Sequence, residues 1–376
     1  MIKIAEQLCC TFTLGDVADF IGPNNIQYFR LYETAGGVRP ILELSFILED
    51  EKLIKYINQG NILKVTFGIS ELDKDTIEFE LYEDNTNKQF SLGYNITLKA
   101  SFYRPKFSSM VKCNTYTGTS KDAISQICSD NGFNLVTNID KTVDNMSWYQ
   151  IGETTWSFCK DVWLHSYIND KTFIAFAFDA YNMYFYDVRK LVLEEPKWYF
   201  TSKYVANKNT NVVNFGSYFV SNEYGATNCL VGKNIINKTF NVDSGVLNDT
   251  TYNLKNFTGI DTNSINLNAA NCVDYQYSFI NDDFHTNYEK AYNQNLRNNI
   301  LFNTFCIYLT TAGQFKKFKL FDTVQFDISP KDERMNGIAF ITGIVYEFEN
   351  NVLNINLVLN KETPSGIKGD MLTEAT

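Results

Sequence analysis

Histidine is almost missing: His165 and His285 are the only two in 376 residues. That removes His-rich metal sites and most histidine-based catalytic constellations. Basic charge is also short. Lys and Arg number 33 against 43 Asp and Glu, a formal charge of −10. A protein that grips nucleic acid through its phosphates carries a basic excess, and so does a polybasic membrane-surface protein. Neither class fits. Proline is scarce, with 6 residues. No apolar run approaches the length of a bilayer-spanning helix; the longest, FIAFAF at 173–178, is strand-sized. The start MIKIAEQLCCTFTLGD has no apolar core of a secretory signal. The phosphate loop GxxxxGK[ST], the elbow GxSxG, HExxH and CxxC are all absent. The 8 cysteines are scattered, apart from Cys9-Cys10. They read as buried small hydrophobes of a reducing compartment rather than as a disulfide framework.

What is present is aromatic and sheet-forming. Phe and Tyr number 30 and 23, and Asn-rich stretches supply polar turns. The first hundred residues alternate in YFRLYE (28–33), ILELSFIL (41–48), ILKVTFGI (62–69), TIEFELYE (76–83) and SLGYNITLKASFY (91–103). Period-two alternation predicts antiparallel strands with one face buried, in a small barrel or sandwich. Residues 49–61 predict a short crossover helix ending near Gly60.

The character changes after Arg104-Pro105. Thr119 to Asp122 has the spacing of a capping box, Ala123, Ile124, Ile127 and Cys128 form an apolar stripe, and Gly132 is placed to stop the helix. A second helix starts near Thr154, with Trp156, Cys159 and Trp163 at helical spacing. Residues 173–188 predict two strands about a turn at 180–182. Beyond Lys197, strands are expected at 212–220, 229–236, 304–311, 323–329, 337–350 and 352–360. The last two are separated by a turn at Asn350-Asn351. A helix is expected over 282–299, from Phe284, Tyr288, Tyr292 and Leu296.

Chemical constellations are thin. His165 ends a predicted helix without a nucleophile near it in sequence, and reads as a rim residue. His285 falls in the first turn of a polar helix and reads as solvated. Glu78 and Glu80 share a strand face, which reads as a solvated sheet rather than a glycosidase pair. Asp140, Asp144 and Asn145 lack the spacing and terminal Glu of a calcium loop. No catalytic, cofactor-binding or metal-binding residue is assigned. Trp148, Trp156 and Trp163 read as core rather than as a stacking platform.

The segment 119–188 resembles the central module of the baseplate central hub proteins of contractile-tailed phages, the late-control gene D and type VI spike-like hub family. The resemblance rests on the capped helix Thr119–Asn131, the short strand at Leu135-Val136 and the element Asn145-Met146-Ser147-Trp148. It continues in the helix start Trp156-Ser157-Phe158 and the edge Tyr184-Phe185-Tyr186-Asp187. The block RLYETAGGVRPILELSFILEDEKLIKYINQGNILKVTFG is similar to the family's first tube-like barrel, and FKKFKLFDTVQFDIS to part of the second. A Gly often precedes the turn of the second block, where this chain has Leu320-Phe321-Asp322.

The resemblance implies a β-rich α+β chain, with two tube-protein-like antiparallel β-barrel domains flanking a small α+β module. The expected layout is a first barrel at 1–106, the module at 107–196 and a second barrel at 197–225 and 300–362. An insertion falls at 226–299 and an extended tail at 363–376. Ile124, Ile127, Trp148, Trp156, Phe158 and Trp163 become the core of the module. The implied function is a virion structural protein of the tail baseplate, assembled in the host cytoplasm. It would be a homotrimeric ring joining the sixfold tail tube to a threefold spike, with other baseplate proteins around it. DNA would pass its lumen without specific binding, and neither enzyme activity nor a cofactor is expected. Other readings are a carbohydrate- or receptor-binding module of a tail tip, a type VI-like spike base, and a cell-wall hydrolase with two perturbed carboxylates.

Overall fold

The structure is a computed structural model. It describes residues 9–361 apart from 19, 22, 59, 69–73, 90–92, 204–210, 223–233, 253–272, 304, 313–317, 329–332 and 350–351. The predicted tail at 363–376 and the turn at 350–351 lie outside the described residues.

The first block folds as β1 (Cys9–Leu14), β2 (Ile26–Thr34), β3 (Ile41–Leu48), β4 (Ile62–Gly68), β5 (Lys74–Gln89) and β6 (Gly93–Phe102). Alternation works as expected. Phe29 and Leu31, Leu42, Leu44 and Phe46, Leu63 and Val65, Ile77 and Phe79, and Ile96 and Leu98 all point into one core. The crossover at Glu51–Tyr56 is a 3-10 helix, opened by the Asp50 carboxylate accepting from Lys52 N.

The α+β module contains α1 (Pro105–Ser108), β7 (Val111–Gly118), α2 (Ser120–Asn131), β8 (Asn134–Thr137), β9 (Met146–Thr154), α3 (Thr155–Leu164), β10 (Ile174–Phe178), β11 (Asn182–Asp187) and α4 (Val188–Val192). The Thr119 hydroxyl accepts from Asp122 N, and the Asp122 carboxylate accepts from Thr119 N at 3.0 Å. Gly132 ends α2 at φ +70°, the left-handed position that glycine adopts without penalty. β10 and β11 pair antiparallel, and β8 adds in parallel.

The last third supplies β12 (Trp198–Thr201), β13 (Val212–Asn214), β14 (Tyr218–Asn222), β15 (Asn234–Asn241), β16 (Leu247–Tyr252) and β17 (Val273–Ile280). These are followed by α5 (Tyr288–Phe302), β18 (Phe305–Ala312), β19 (Thr323–Asp327), β20 (Ile338–Glu349) and β21 (Val352–Lys361). Two expectations are corrected. The single strand expected at 212–220 is two: β13 pairs β12 in parallel, and β14 pairs β18 antiparallel. The helix begins at Tyr288 rather than 282. Of the strand expected at 229–236, residues 229–233 lie outside the described residues and 234–236 open β15, which belongs to the three-stranded sheet β16-β15-β17.

The two β-rich blocks meet in one 13-stranded sheet, ordered β1-β4-β5-β6-β3-β2-β20-β19-β12-β13, with β21, β18 and β14 branching from β20. The seam is β2 against β20, antiparallel from Tyr28↔Glu349 to Thr34↔Gly343. Strands of both blocks are therefore hydrogen-bonded into one sheet. Just before β19, Phe321 has φ 65° and is the one non-glycine with a positive φ among the described residues. It lies in the Leu320-Phe321-Asp322 stretch that leads into β19. Its ring packs edge-on against Tyr184 and Tyr186, at 6.5 and 5.9 Å between centroids.

Candidate functional site

The outward face of the large sheet carries a polar ladder that crosses seven strands. Lys99 on β6 donates to Glu83 on β5 at 3.1 Å and sits opposite Glu43 on β3. Tyr32 on β2 donates to the Glu43 carboxylate at 3.1 Å. Arg30, also on β2, donates to Glu347 on β20 at 2.6 Å and lies 4.0 Å from Glu349. The same Glu347 accepts from Asn356 on β21 at 2.9 Å, and Asn356 accepts from Thr310 on β18 at 2.6 Å. A neighbouring row links Gln27, Ser45 and Thr97. Lys64 pairs Glu78 at 3.1 Å, and Glu80 lies on the same face. Six carboxylates (Glu43, Glu78, Glu80, Glu83, Glu347 and Glu349) share the face with four cations, Arg30, Arg39, Lys64 and Lys99. The hydrogen bond from Lys99 holds the Glu83 carboxyl below the usual range. Each exposed pair adds little stability alone. Together they fix a hydrated surface with acidic excess.

Two concavities open on this face. One, of about 770 Å³, is lined by Tyr32, Glu33, Phe219, Tyr308, Asn356 and Val358 among others. Another, of about 690 Å³, lies between Arg39, Glu80, Tyr82 and Trp156. Burial, then the charges of Asp179 and Asp75, push the Glu33 carboxyl up to about 8.

The residues singled out for the module core fall in two places. Ile124, Ile127, Trp148, Phe158 and Trp163 are buried. Trp148 is 1% exposed and donates to Gly118 O at 3.0 Å, while Trp163 donates to Ile174 O at 2.7 Å. Trp156 points elsewhere. It is half-buried, donates to Gly37 O at 2.7 Å and stacks under Arg39, so it joins α3 to the first block. Cys128 and Cys159 are buried, but Cys113 is exposed, which corrects the expectation of uniformly buried thiols.

Asp144, one of the residues that lacked a calcium-loop spacing, has a structural role instead. Asp144 is fully buried and accepts from Ser120 N, Ser120 Oγ and Tyr167 N at 2.6–2.9 Å, tying the start of α2 to the end of α3. Among the described residues no group of three or more His, Cys, Asp and Glu side chains could hold a metal, and no helix is long and apolar enough to cross a membrane.

Both histidines depart from expectation. His165 caps the C-terminus of α3 and is buried, its ring stacked on Tyr288 at 3.7 Å. His285 precedes α5, is buried rather than solvated, and places Nε2 3.0 Å from His165 O. The Tyr288, Tyr292 and Leu296 stripe expected to anchor α5 is only half-buried. The buried face holds Asn293, Gln294, Asn295, Arg297 and Asn298 instead. Asn295 Nδ2 reaches the carbonyls of Trp163, Leu164 and Ser166, the last of these at 2.7 Å. Gln294 donates to Asn169 O and Thr172 O. A helix leaves its final carbonyls without intrahelical partners. Here α5 supplies partners for those of α3. The amide run 293–299 was the available signal, because Asn is a poor interior helix former unless its amide is engaged.

The inserted sheet has its own surface. On its inner side, Asn237 (0% exposed), Thr239 and Ser278 bond one another and Glu289 of α5. On its outer side stand Phe240, Leu247, Tyr275, Tyr277 and Phe279, with Tyr277 74% and Phe279 72% exposed.

No protein-family profile and no curated protein matches the sequence. Among solved structures, the fold is similar to the tail protein from Neisseria meningitidis MC58, at 9% identity and a TM-score of 0.55, over 96% of this chain and 99% of that one. It is also similar to the 43 kDa tail protein of prophage MuSo2 from Shewanella oneidensis, at 12% identity, TM-score 0.52, and 96% and 98% coverage. A third is the E. coli c3393 protein, a type VI secretion component with structural similarity to the T4 bacteriophage tail proteins gp27 and gp5. It aligns at 8% identity, TM-score 0.50, and 96% and 80% coverage. Over the aligned 96% of its length, the chain thus has a β-rich fold similar to that of these phage tail and type VI-related proteins.

Proposed function

We propose that the chain is the central structural hub of a phage tail baseplate. Three copies form a ring that adapts the sixfold tail tube to a threefold spike and leaves a channel for DNA. Residues 1–106 supply one tube-like unit, and 197–225 with 300–362 supply the other. The unit 107–196 braces them and 226–299 is an outer insertion. The observation that carries this reading is the polar ladder, a continuous sheet face on which carboxylates outnumber cations. A channel wall must let a polyanion slide, and an acidic hydrated face repels phosphates at close range. The fold likeness to tail proteins over 96% of the chain supports the same reading. In it the ladder faces the lumen, and the outward aromatic face of the inserted sheet supplies contact area for neighbouring baseplate proteins. The chain acts in the virion as scaffold rather than enzyme.

The test is electron microscopy of the purified chain, alone and with its tube and spike proteins. Threefold rings with a hole wide enough for duplex DNA support the hub, and compact monomers in every mixture overturn it. A type VI-like spike base is the near variant of this reading, and a spike partner of contractile-injection type separates the two. The exposed Tyr275, Tyr277 and Phe279 also favour a receptor-binding module as a second reading. Saturable glycan binding lost on Tyr277→Ala would move the assignment there.

A further inference from the structure

Both histidines of the chain meet at one junction, where α5 docks on the end of α3. His165 O can only accept, so the His285 nitrogen 3.0 Å away, Nε2, is the one that donates. That leaves Nδ1 of His285 as the bare ring nitrogen. It is buried and has no hydrogen-bond partner. A proton arriving there places a charge in a site that offers it no acceptor. The His285 carbonyl also accepts from Tyr288 N at 3.0 Å, so the added charge sits at the N-terminal end of α5, where a cation is unfavourable.

The ionisable groups acting on the ring are Asp144 ahead of β9 and His165 at the end of α3, and Tyr288 of α5 packs edge-on against it at 5.7 Å; Asp161 and Glu289 act in turn on Tyr288. Asp282 and Asp283 lie in its own loop. Asp144 attracts a proton to His285, and so does the carbonyl at the end of α3. Burial opposes both and outweighs them, holding the imidazole below its ordinary range. Both Asp144 oxygens already accept from Ser120 and Tyr167, so neither is free to turn toward the ring without losing a bond.

We propose that His285 is an acid-releasable latch: protonation at Nδ1 frees α5, and with it the inserted sheet, from the end of α3. What is released is set by connectivity. α5 holds the carbonyls of Trp163, Leu164 and Ser166 through Asn295, and holds the inner face of the inserted sheet through Glu289. The undocked state has an ordinary imidazole and therefore binds the proton more readily. Docking is fully stable above about pH 6.5 and weakens as the pH falls below that value. The latch rests on the geometry of this junction and does not require the hub reading.

Hydrogen exchange of the full chain, corrected for the intrinsic pH dependence, tests the latch. Protection of the α5 amides is expected to fall at least tenfold between pH 7.5 and pH 5, while that of β3 and β6 holds. His285→Gln keeps a donor for His165 O but cannot take the proton, so its α5 protection should be independent of pH. His165→Gln should retain the wild-type pH dependence. Asn295→Ala should lower protection at every pH without altering the slope. A wild-type chain with no pH-dependent loss at α5, or a His285→Gln chain that keeps that loss, overturns the proposal. Should His285→Gln not fold, NMR titration of the two wild-type imidazoles decides. A midpoint for α5 exposure that follows His285 supports the latch, and one that follows another group overturns it.

Discussion

The large sheet and the inserted sheet have opposite polarity. In the large sheet, Leu42, Leu44 and Phe46 point inward, while Glu43 and the buried Ser45 on the opposite side bond to neighbouring strands. In the inserted sheet, Asn237, Thr239 and Ser278 point inward against α5 while Tyr275, Tyr277 and Phe279 face out. Both alternate with period two. Alternation fixes which residues share a face, but the packing partner decides which face is covered. A sheet that hides amides and shows aromatics has the surface expected of a subunit that finishes its burial in an assembly.

The comparison can be broken by substitution, and the largest effect is expected in the apolar core. Trp148→Ala should cost about 3–5 kcal/mol in denaturant unfolding. An unchanged midpoint would mean that the indole does not support the module. Next comes the polar interior. Asn237→Ala strips Glu289 Oε2 of its donor and should cost about 1–3 kcal/mol. A negligible cost would show that the inner amides of the inserted sheet do no more than tolerate burial.

The pH profile offers a third cut. Glu33 has a folded carboxyl pushed up to about 8, against an ordinary value near 4.5. The folded chain therefore holds a proton that the unfolded chain releases over that range. Stability from this group is present below pH 4.5 and is lost as the pH rises toward 8. Glu33→Gln should flatten this limb of the profile and raise the melting temperature at pH 9. A wild-type profile flat from pH 5 to 9 would contradict it. The smallest effect is expected outside. Phe279→Ser should shift the stability of the isolated chain by less than about 0.5 kcal/mol, while raising its solubility. A loss comparable to Trp148→Ala would mean that the outward face already packs within one chain.

The sequence made the first block and the central module readable because local rules and tertiary packing agree there. ILELSFIL alternates and its strand is Ile41–Leu48; the Thr119–Asp122 box and Gly132 bound α2 at both ends. The union of the two blocks was not legible, because pairing of β2 with β20 spans more than three hundred residues and leaves no local trace. The burial of His285 and of the amide face of α5 was hidden for a related reason. These side chains serve carbonyls of another helix, and those carbonyls are backbone atoms that no residue letter announces. Trp156 had the right spacing for the module core, yet its indole N–H found Gly37 O across the boundary.

The seam between β2 and β20 has a mechanical consequence. Seven register pairs join the strands along their length, and β3 and β21 continue the pairing on either side. A pull along the strands must shear those bonds together, whereas a pull at right angles would open them one after another. The two halves of the chain thus behave as one stiff plate toward axial load, and compliance is left to the parts joined outside the plate, above all the inserted sheet hanging from α5.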